Sequence, residues 1–287
     1  MSNQTNYYNP RWMSATPAID TLSLCELTLP GTHNAGSDWQ ASYPFFGPPP
    51  HWLACQHDRF YSQLRHGSRA LDIRLTYVPE AQGPNKFQVH HNGHRNSRTV
   101  GTLITDVNEF LQENPDEFII LDFHSLEGKN FDFDLFNKLI IQFLGHCLIP
   151  SNNVSLSLNQ LKQISAKQRV LAAAPQGWGL DRNLFLSQIR HKWSGNGITD
   201  ATELRQFIGE VMHSPPGNWA PWSLSATSYT ALGGPVDIHD ELNAWFDPDK
   251  SDWALKCNII NVDFMEESKI VDYCRTANLM KARQRNR

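Results

Sequence analysis

"LTLPGTHNAGSD", residues 27–38, is a short apolar run that reaches a Pro-Gly pair and then presents His33 and Asn34. Apolar residues followed by small turn formers read as a strand running into a loop, with the Pro-Gly pair as the turn and a histidine just past the strand's end. The arrangement recurs along the chain. Strand candidates are "CELTLP" at 25–30, "RALDIRLTYV" at 69–78, "FQVHH" at 87–91, "EFIILDFH" at 117–124, "QRVLAAAP" at 168–175 and "LKCNIINVDF" at 255–264. Helical periodicity lies between them. "DVNEFLQENPDE", 106–117, carries Val107, Phe110 and Leu111 at helical spacing, and "DFDLFNKLIIQFLG", 132–145, repeats Phe, Leu and Ile at i, i+3 and i+4 before closing on Gly145.

Short strands alternating with helices predict an α/β fold with a parallel sheet or barrel, and the length of regular alternation favours one barrel domain over residues 1–287. The chain has 287 residues, of which 40% are hydrophobic and 19% charged, enough for one large core. Its net charge of −4 offers no basic field for a phosphate backbone, so nucleic acid is not an expected partner. Five widely spaced cysteines without a CxxC argue against a zinc site or a disulfide framework, and are read as buried thiols. The opening "MSNQTNYYNPRWM" lacks a signal-peptide layout and no stretch approaches the ~20 apolar residues of a membrane span, so a soluble chain is expected, its compartment left open.

Ionisable residues gather at the ends of these strands. His33 follows the first, Asp72 and Arg74 lie in the second, His90 and His91 end the third, Asp122 and His124 the fourth, and Asp263 the last. In a parallel barrel the C-terminal strand ends converge on one face, which makes these scattered positions one candidate site. Alternation in "LDIRL" places Asp72 and Arg74 on one side and Leu71, Ile73 and Leu75 on the other. Two charges on a core-facing strand are costly unless paired or used, so a polar cavity is expected there. Two imidazoles and a guanidinium suit phosphodiester chemistry: one histidine takes a proton, the other gives one, and the arginine holds the phosphoryl oxygens.

Taken together, "LPGTHNAG", "QLRHGSRALDIRL", "VHHNG" and "EFLQENPDEFIILDF", which fall in that order over about residues 22–125, resemble the catalytic X domain of phosphatidylinositol-specific phospholipase C, especially its small bacterial, metal-independent type. "NIINVDF" resembles the late strand whose aspartate orients the general base. The resemblance implies an irregular, incompletely closed TIM-like (β/α) barrel. It implies His33 as general base, His91 as general acid, Arg74 as phosphate ligand, Asp72 as a polar partner in the cavity and Asp263 as the carboxylate behind His33. His91 is preferred over His90 because the second of the pair matches the family position, and because alternation sends the two to opposite faces. Asn34 and His124 are expected to face the substrate. The implied reaction is attack of the inositol 2-hydroxyl on phosphorus, releasing diacylglycerol and a cyclic inositol phosphate.

The sequence departs from the bacterial pattern in carrying Asn34 after the histidine, where the calcium-dependent relatives also have Asn as a metal ligand. Arg74 stands where those relatives place an acidic residue, so no cofactor is expected; calcium on Asn34, Asp72 and Asp122 is the alternative. "RVLAAAPQ" lacks the basic residue that contacts inositol in bacterial enzymes. "PFFGPPPHW", 44–52, follows the His33 strand and reads as a loop on the same rim, with Phe45, Phe46 and Trp52 as candidates for a lipid interface. A second aromatic loop, "PPGNWAPW" at 215–222, holds Trp219 and Trp222. The expected partner is a phospholipid at a membrane surface, met by a monomer. Two other functions stay open at this point: a metal-dependent glycerophosphodiester phosphodiesterase, and a non-catalytic module that binds anionic lipid heads.

Overall fold

The computed structural model describes residues 9–230 and 234–285. Twelve strands are present among them: β1 (Leu29–Thr32), β2 (Ala70–Tyr77), β3 (Phe87–His91), β4 (His94–Thr99), β5 (Ile119–Glu127), β6 (Val170–Ala174), β7 (Phe185–Ser187), β8 (Arg190–Lys192), β9 (Trp222–Ser225), β10 (Ser228–Thr230), β11 (Gly234–Val236) and β12 (Ile259–Val262). Eight helices accompany them: α1 (Phe60–His66), α2 (Val100–Glu113), α3 (Phe133–Leu144), α4 (Leu158–Ile164), α5 (Ala201–His213), α6 (His239–Trp245), α7 (Trp253–Lys256) and α8 (Ile270–Arg285).

Eight strands of a ten-stranded sheet run in the order β7-β6-β5-β2-β1-β12-β9-β8, with β3 and β4 joined to it beside β2. Every neighbouring pair along that path is parallel. β7 and β8 end the path without pairing to each other, so the fold is an α/β barrel left open on one side. Alternation divides its side chains into two layers. Leu71, Ile73, Ile119, Leu121, Phe123 and Val170 pack outward in one apolar cluster with residues of α1, α2 and α3. Ala70, Ile120, Leu171 and Ala173 belong to a second cluster on the opposite side of the sheet. Further along the same face of the same strands, Asp72 and Arg74 follow Ala70, and Asp122 follows Ile120. The inside of the sheet therefore turns from apolar to charged towards its C-terminal edge.

Several sequence expectations are corrected here. Pro30 and Gly31 lie inside β1 rather than in a turn after it. A Cβ on Gly31 would come within 2.2 Å of Asn261 Oδ1 and 2.7 Å of Ile259, so glycine is needed for the close approach of β12 and not for a reversal. The helix expected at 106–117 runs from Val100 to Glu113, because Thr99 and Thr102 form a reciprocal capping box six residues earlier than periodicity suggested. Asn114 caps its end, and Glu117 is buried against Arg69 instead of extending it. The last strand is shorter than read, its first residues being taken by α7. β3 is antiparallel to β2, so His91 reaches the site by a returning hairpin and not as the C-terminal end of a parallel strand. Trp222 opens β9 and is only 2% exposed, which removes it from the aromatic loop. All five cysteines are free and buried.

Candidate active site

β1 and β12 pair in register from Leu29↔Ile259 to Thr32↔Val262, so the residues that follow, His33 and Asp263, emerge side by side. His33 Nδ1 lies 2.8 Å from Asp263 Oδ1. The carboxylate can only accept, which puts the imidazole proton on Nδ1 and leaves Nε2 a bare lone pair. The Gln56 side-chain amide donates to the carbonyls of both His33 and Val262 at 2.9 Å, clamping the two strand ends together. Burial raises the pKa of Asp263, an effect opposed by His33 and by the Cys55 thiol. Asn34 then turns the chain through φ 47, the left-handed region that asparagine tolerates better than most residues.

Asp72 and Arg74 share the inner face of β2, as alternation requires. The guanidinium donates from Nε to Asp72 Oδ1 at 3.2 Å and from NH2 to Oδ2 at 2.9 Å, and the Asn34 amide donates to Oδ2 at 3.2 Å. Burial alone would raise the Asp72 carboxyl, but the positive charge of Arg74, with His124 and His33 beyond it, holds it well below the usual range. Burial disfavours the Arg74 cation in turn, and the Asp72 charge keeps it protonated. The pair is not sealed: the Arg74 side chain keeps 19% of its surface open and faces the cavity.

His91, at the end of β3, stands with its ring 6.4 Å from that of His33 and nearly perpendicular to it. Its Nδ1 donates to the Leu53 carbonyl at 2.7 Å, so its Nε2 is also bare in the neutral form. Burial lowers its pKa to about 3. His90 points the other way, accepting from the Gly93 amide at 3.2 Å and lying 3.7 Å from Glu127.

His124 does not end its strand. The β2–β5 register passes from Ile73↔Phe123 to Arg74↔Ser125, which leaves His124 as the extra residue of a bulge. Bulges re-aim side chains, and this one brings the imidazole into the cavity wall. Asp122 is 3.6 Å from His124 Nδ1. Burial raises the Asp122 carboxyl, whereas Asp72 and Asp122 outweigh burial and raise His124. The side-chain atoms of Asn34 and both oxygens of Asp122 are buried without hydrogen-bond partners.

A cavity of about 320 Å³ is lined by His33, Arg74, His91 and His124, and also by His191 and Tyr229, which the sequence reading had not singled out. Tyr229 stands edge-on to both catalytic candidates, 6.0 Å from the His33 ring and 6.3 Å from that of His91. His191 packs 4.9 Å from His124, is held by Ser223 Oγ at 2.7 Å, and is kept neutral by burial with a pKa lowered to about 3. A signal for this wall was present: Ser223, Ser225, Thr227 and Tyr229 put a polar group at every second position, the mark of a strand lining a wet cavity.

Phe45 and Phe46 are 94% and 89% exposed, edge-to-face with ring centres 5.2 Å apart, and Trp52 is 43% exposed. Trp219 is exposed as well. Among the described residues no helix is long and apolar enough to cross a membrane.

No profile of a known protein family matches the chain. It is 27% identical over 296 aligned residues to PI-PLC X domain-containing protein 1 of Mus musculus, covering 91% of this chain and 84% of that protein. It is 25% identical to the 1-phosphatidylinositol phosphodiesterase of Listeria monocytogenes, where the match spans 56% of this chain and about half, 48%, of the relative. The fold is shared with the solved phosphatidylinositol-specific phospholipase C from Listeria monocytogenes, at a TM-score of 0.68 and 16% identity over 94% of this chain and 99% of that one. By sequence the chain is similar to PI-PLC X domain-containing proteins and to a bacterial phosphatidylinositol phosphodiesterase, and it shares the fold of the bacterial phosphatidylinositol-specific phospholipase C.

Proposed function

We propose that this chain cleaves phosphatidylinositol-type phospholipids at the phosphodiester, with His33 as general base and His91 as general acid. The observation that carries the reading is the placement of two imidazoles 6.4 Å apart on the wall of one cavity that also holds the Arg74 guanidinium. His33 Nε2 takes the proton of the inositol 2-hydroxyl as its oxygen bonds to phosphorus. The bond from phosphorus to the diacylglycerol oxygen breaks, and His91 Nε2 delivers a proton to that oxygen. Arg74 faces the charge that builds on the phosphoryl oxygens. Because the nucleophile belongs to the substrate, a large part of the barrier, ~7–11 kcal/mol in well-oriented intramolecular reactions, is met by proximity.

His91 sets a condition on this scheme. Burial keeps it neutral in the free chain, so it can act as an acid only once the phosphodiester anion enters and stabilises the imidazolium. Asp263 performs the matching service for His33, its charge stabilising the imidazolium that forms there.

Calcium does not fit the donor set. A calcium ion takes about 6–8 oxygens, and of the three candidates Asp72 already spends both of its oxygens on Arg74. That leaves Asn34 and Asp122, with the Arg74 cation in the same space. We infer a metal-independent enzyme acting at a lipid surface through Phe45, Phe46 and Trp52, whose apolar rings stand free to enter an interface.

Phosphorus NMR of the chain with phosphatidylinositol vesicles, with and without a chelator, tests the whole reading. A cyclic phosphodiester formed equally in both samples is expected. Release of phosphatidic acid, or turnover that stops with the chelator, rejects it.

A further inference from the structure

Cys55 has no part in the proton transfers above, yet it lies at their centre. Its thiol is 3.5 Å from the Tyr229 hydroxyl and 3.7 Å from His91 Nδ1. The Cys55 Sγ, one ring nitrogen of His33 and one Asp263 carboxylate oxygen all lie within 4.8 Å of one another, and it is His33 Nδ1 that faces both Asp263 Oδ1, at 2.8 Å, and the Tyr229 hydroxyl that Cys55 touches, at 3.3 Å. All three residues are buried, and the second oxygen of Asp263, Oδ2, is buried with no hydrogen-bond partner.

We propose that Cys55, His33 and Asp263 form an inhibitory site for a thiophilic divalent cation of the zinc class. A thiolate, an imidazole nitrogen and a carboxylate oxygen are the ligand types such ions select. At zinc bond lengths of about 2.0–2.3 Å, ligand atoms around a tetrahedral ion lie ~3–4 Å apart, close to the spacing already present. Charge supports the same ion. Zinc carries two positive charges, the thiolate and carboxylate two negative ones, so the filled site is neutral and its burial carries little electrostatic cost. The unpartnered Asp263 oxygen gains a use. The ligand His33 and the neighbouring Tyr229 both line the cavity, so the site adjoins it.

The proton balance gives the consequence. The Cys55 thiol, which burial and Asp263 keep protonated in the free chain, releases its proton to water as the metal–sulfur bond forms. His33 exchanges its Nδ1 proton for the metal, and the neutral ring then carries its proton on Nε2. That nitrogen is the lone pair required of the general base, so the metal-loaded form cannot accept the substrate's proton. The structural site stands on geometry alone, whereas the inhibition rests on the functional reading of His33 given above.

Two measurements on the whole chain separate these. Cobalt(II) added to metal-free protein is expected to give one equivalent of a thiolate-to-cobalt charge-transfer band, bleached by zinc and lost in Cys55→Ala and Cys55→Ser. Phosphatidylinositol cleavage is expected to fall with zinc but not with magnesium, and the zinc needed is expected to rise ~10-fold or more in either variant, each compared with its own zinc-free rate. No band in the wild-type chain overturns the site, and so does a band that survives both substitutions. A Cys55-dependent band without inhibition of an active enzyme overturns the inhibitory role. A Cys55-dependent band in a chain that does not cleave phosphatidylinositol upholds the site and removes the functional reading instead.

Discussion

The Leu53 carbonyl accepts the Nδ1 proton of His91 at 2.7 Å, one residue beyond exposed Trp52. The loop that carries the aromatic rim thus ends on the atom that fixes the tautomer of the proposed acid. The proposed docking and the proposed chemistry share a backbone segment.

The first expectation concerns that acid. Its pKa in the free chain is lowered to about 3 by burial, and an anion in the cavity opposes that shift. Histidine NMR of the chain with a soluble inositol phosphate should show the His91 titration move upward, with no such movement in Arg74→Gln, where the anion loses its anchor. An unmoved titration with the ligand demonstrably bound would remove His91 from the acid role.

Replacing either proton carrier should cost more than replacing what surrounds it. His33→Ala and His91→Ala are each expected to lower the cleavage rate by at least ~10²-fold, with circular dichroism unchanged. Asp263→Asn should lower kcat while leaving KM near its original value, since it acts through His33 and touches no substrate atom. Equal rates in wild type and His33→Ala would end the catalytic scheme.

Much of this was legible in the chain because it depends on local pattern. Alternation alone placed Asp72 beside Arg74 and separated His90 from His91. The strand sequence could not reveal the antiparallel return of β3 or the bulge at His124, because pairing direction and register are set by partners remote in the chain. His191 escaped for a related reason, being an ordinary residue on the short β8 that the sheet brings to His124, whereas Tyr229 stands on the separate β10–β11 hairpin, whose placement beside His33 only the alternating polar residues before it hinted at. The Pro-Gly pair misled for the opposite reason. Its residue types fit a turn, while the side chain of Asn261 from a strand over two hundred residues away decides that Gly31 sits in β1.

Stability should fall on the acid side for an identifiable reason. His91 and His191 are held neutral by burial with pKa values of about 3, whereas an unfolded imidazole titrates near ~6.5. The unfolded chain therefore binds protons that the folded chain refuses. The stabilisation is whole above pH ~6.5 and is lost as pH falls towards 3, at ~1.4 kcal/mol per pH unit for each group. His124, raised by its carboxylates, contributes in the opposite sense, and so do the buried carboxyls of Asp122 and Asp263. The difference between wild type and His191→Gln isolates one group. Urea titrations from pH 7 to 4 should show a shallower acid limb in the variant; parallel limbs would contradict the assignment.

The rim makes its own prediction. Phe45→Ala with Phe46→Ala removes two rings that are not among the cavity-lining residues and are almost wholly exposed. Cleavage of vesicle substrate should drop severalfold, while cleavage of a soluble short-chain substrate stays unchanged. Equal losses on both substrates would mean that the loop supports the fold around Leu53 and does not meet lipid.

The buried pair Arg69–Glu117 tests what holds the sheet to the N-terminal segment. Both side chains are fully buried, joined by Arg69 Nε and NH2 to one Glu117 oxygen at 2.9 and 2.6 Å. Arg69 also donates to the carbonyls of Leu64 and Pro10, and Glu117 accepts from the amides of Met13 and Ser14. Removing one partner strands the other charge in the core, a loss of about 3–5 kcal/mol. Glu117→Gln keeps the shape and the acceptor oxygen but leaves the Arg69 cation uncompensated among Trp12 and Phe110, whose rings lie 5.6 and 5.1 Å from it. Those ring faces and the backbone carbonyls recover part of the loss. Glu117→Gln is therefore expected to destabilise less than Glu117→Ala, and Arg69→Met combined with Glu117→Leu less than the sum of the two single replacements. Denaturant midpoints of these variants decide it, and strict additivity would show that the two residues act independently.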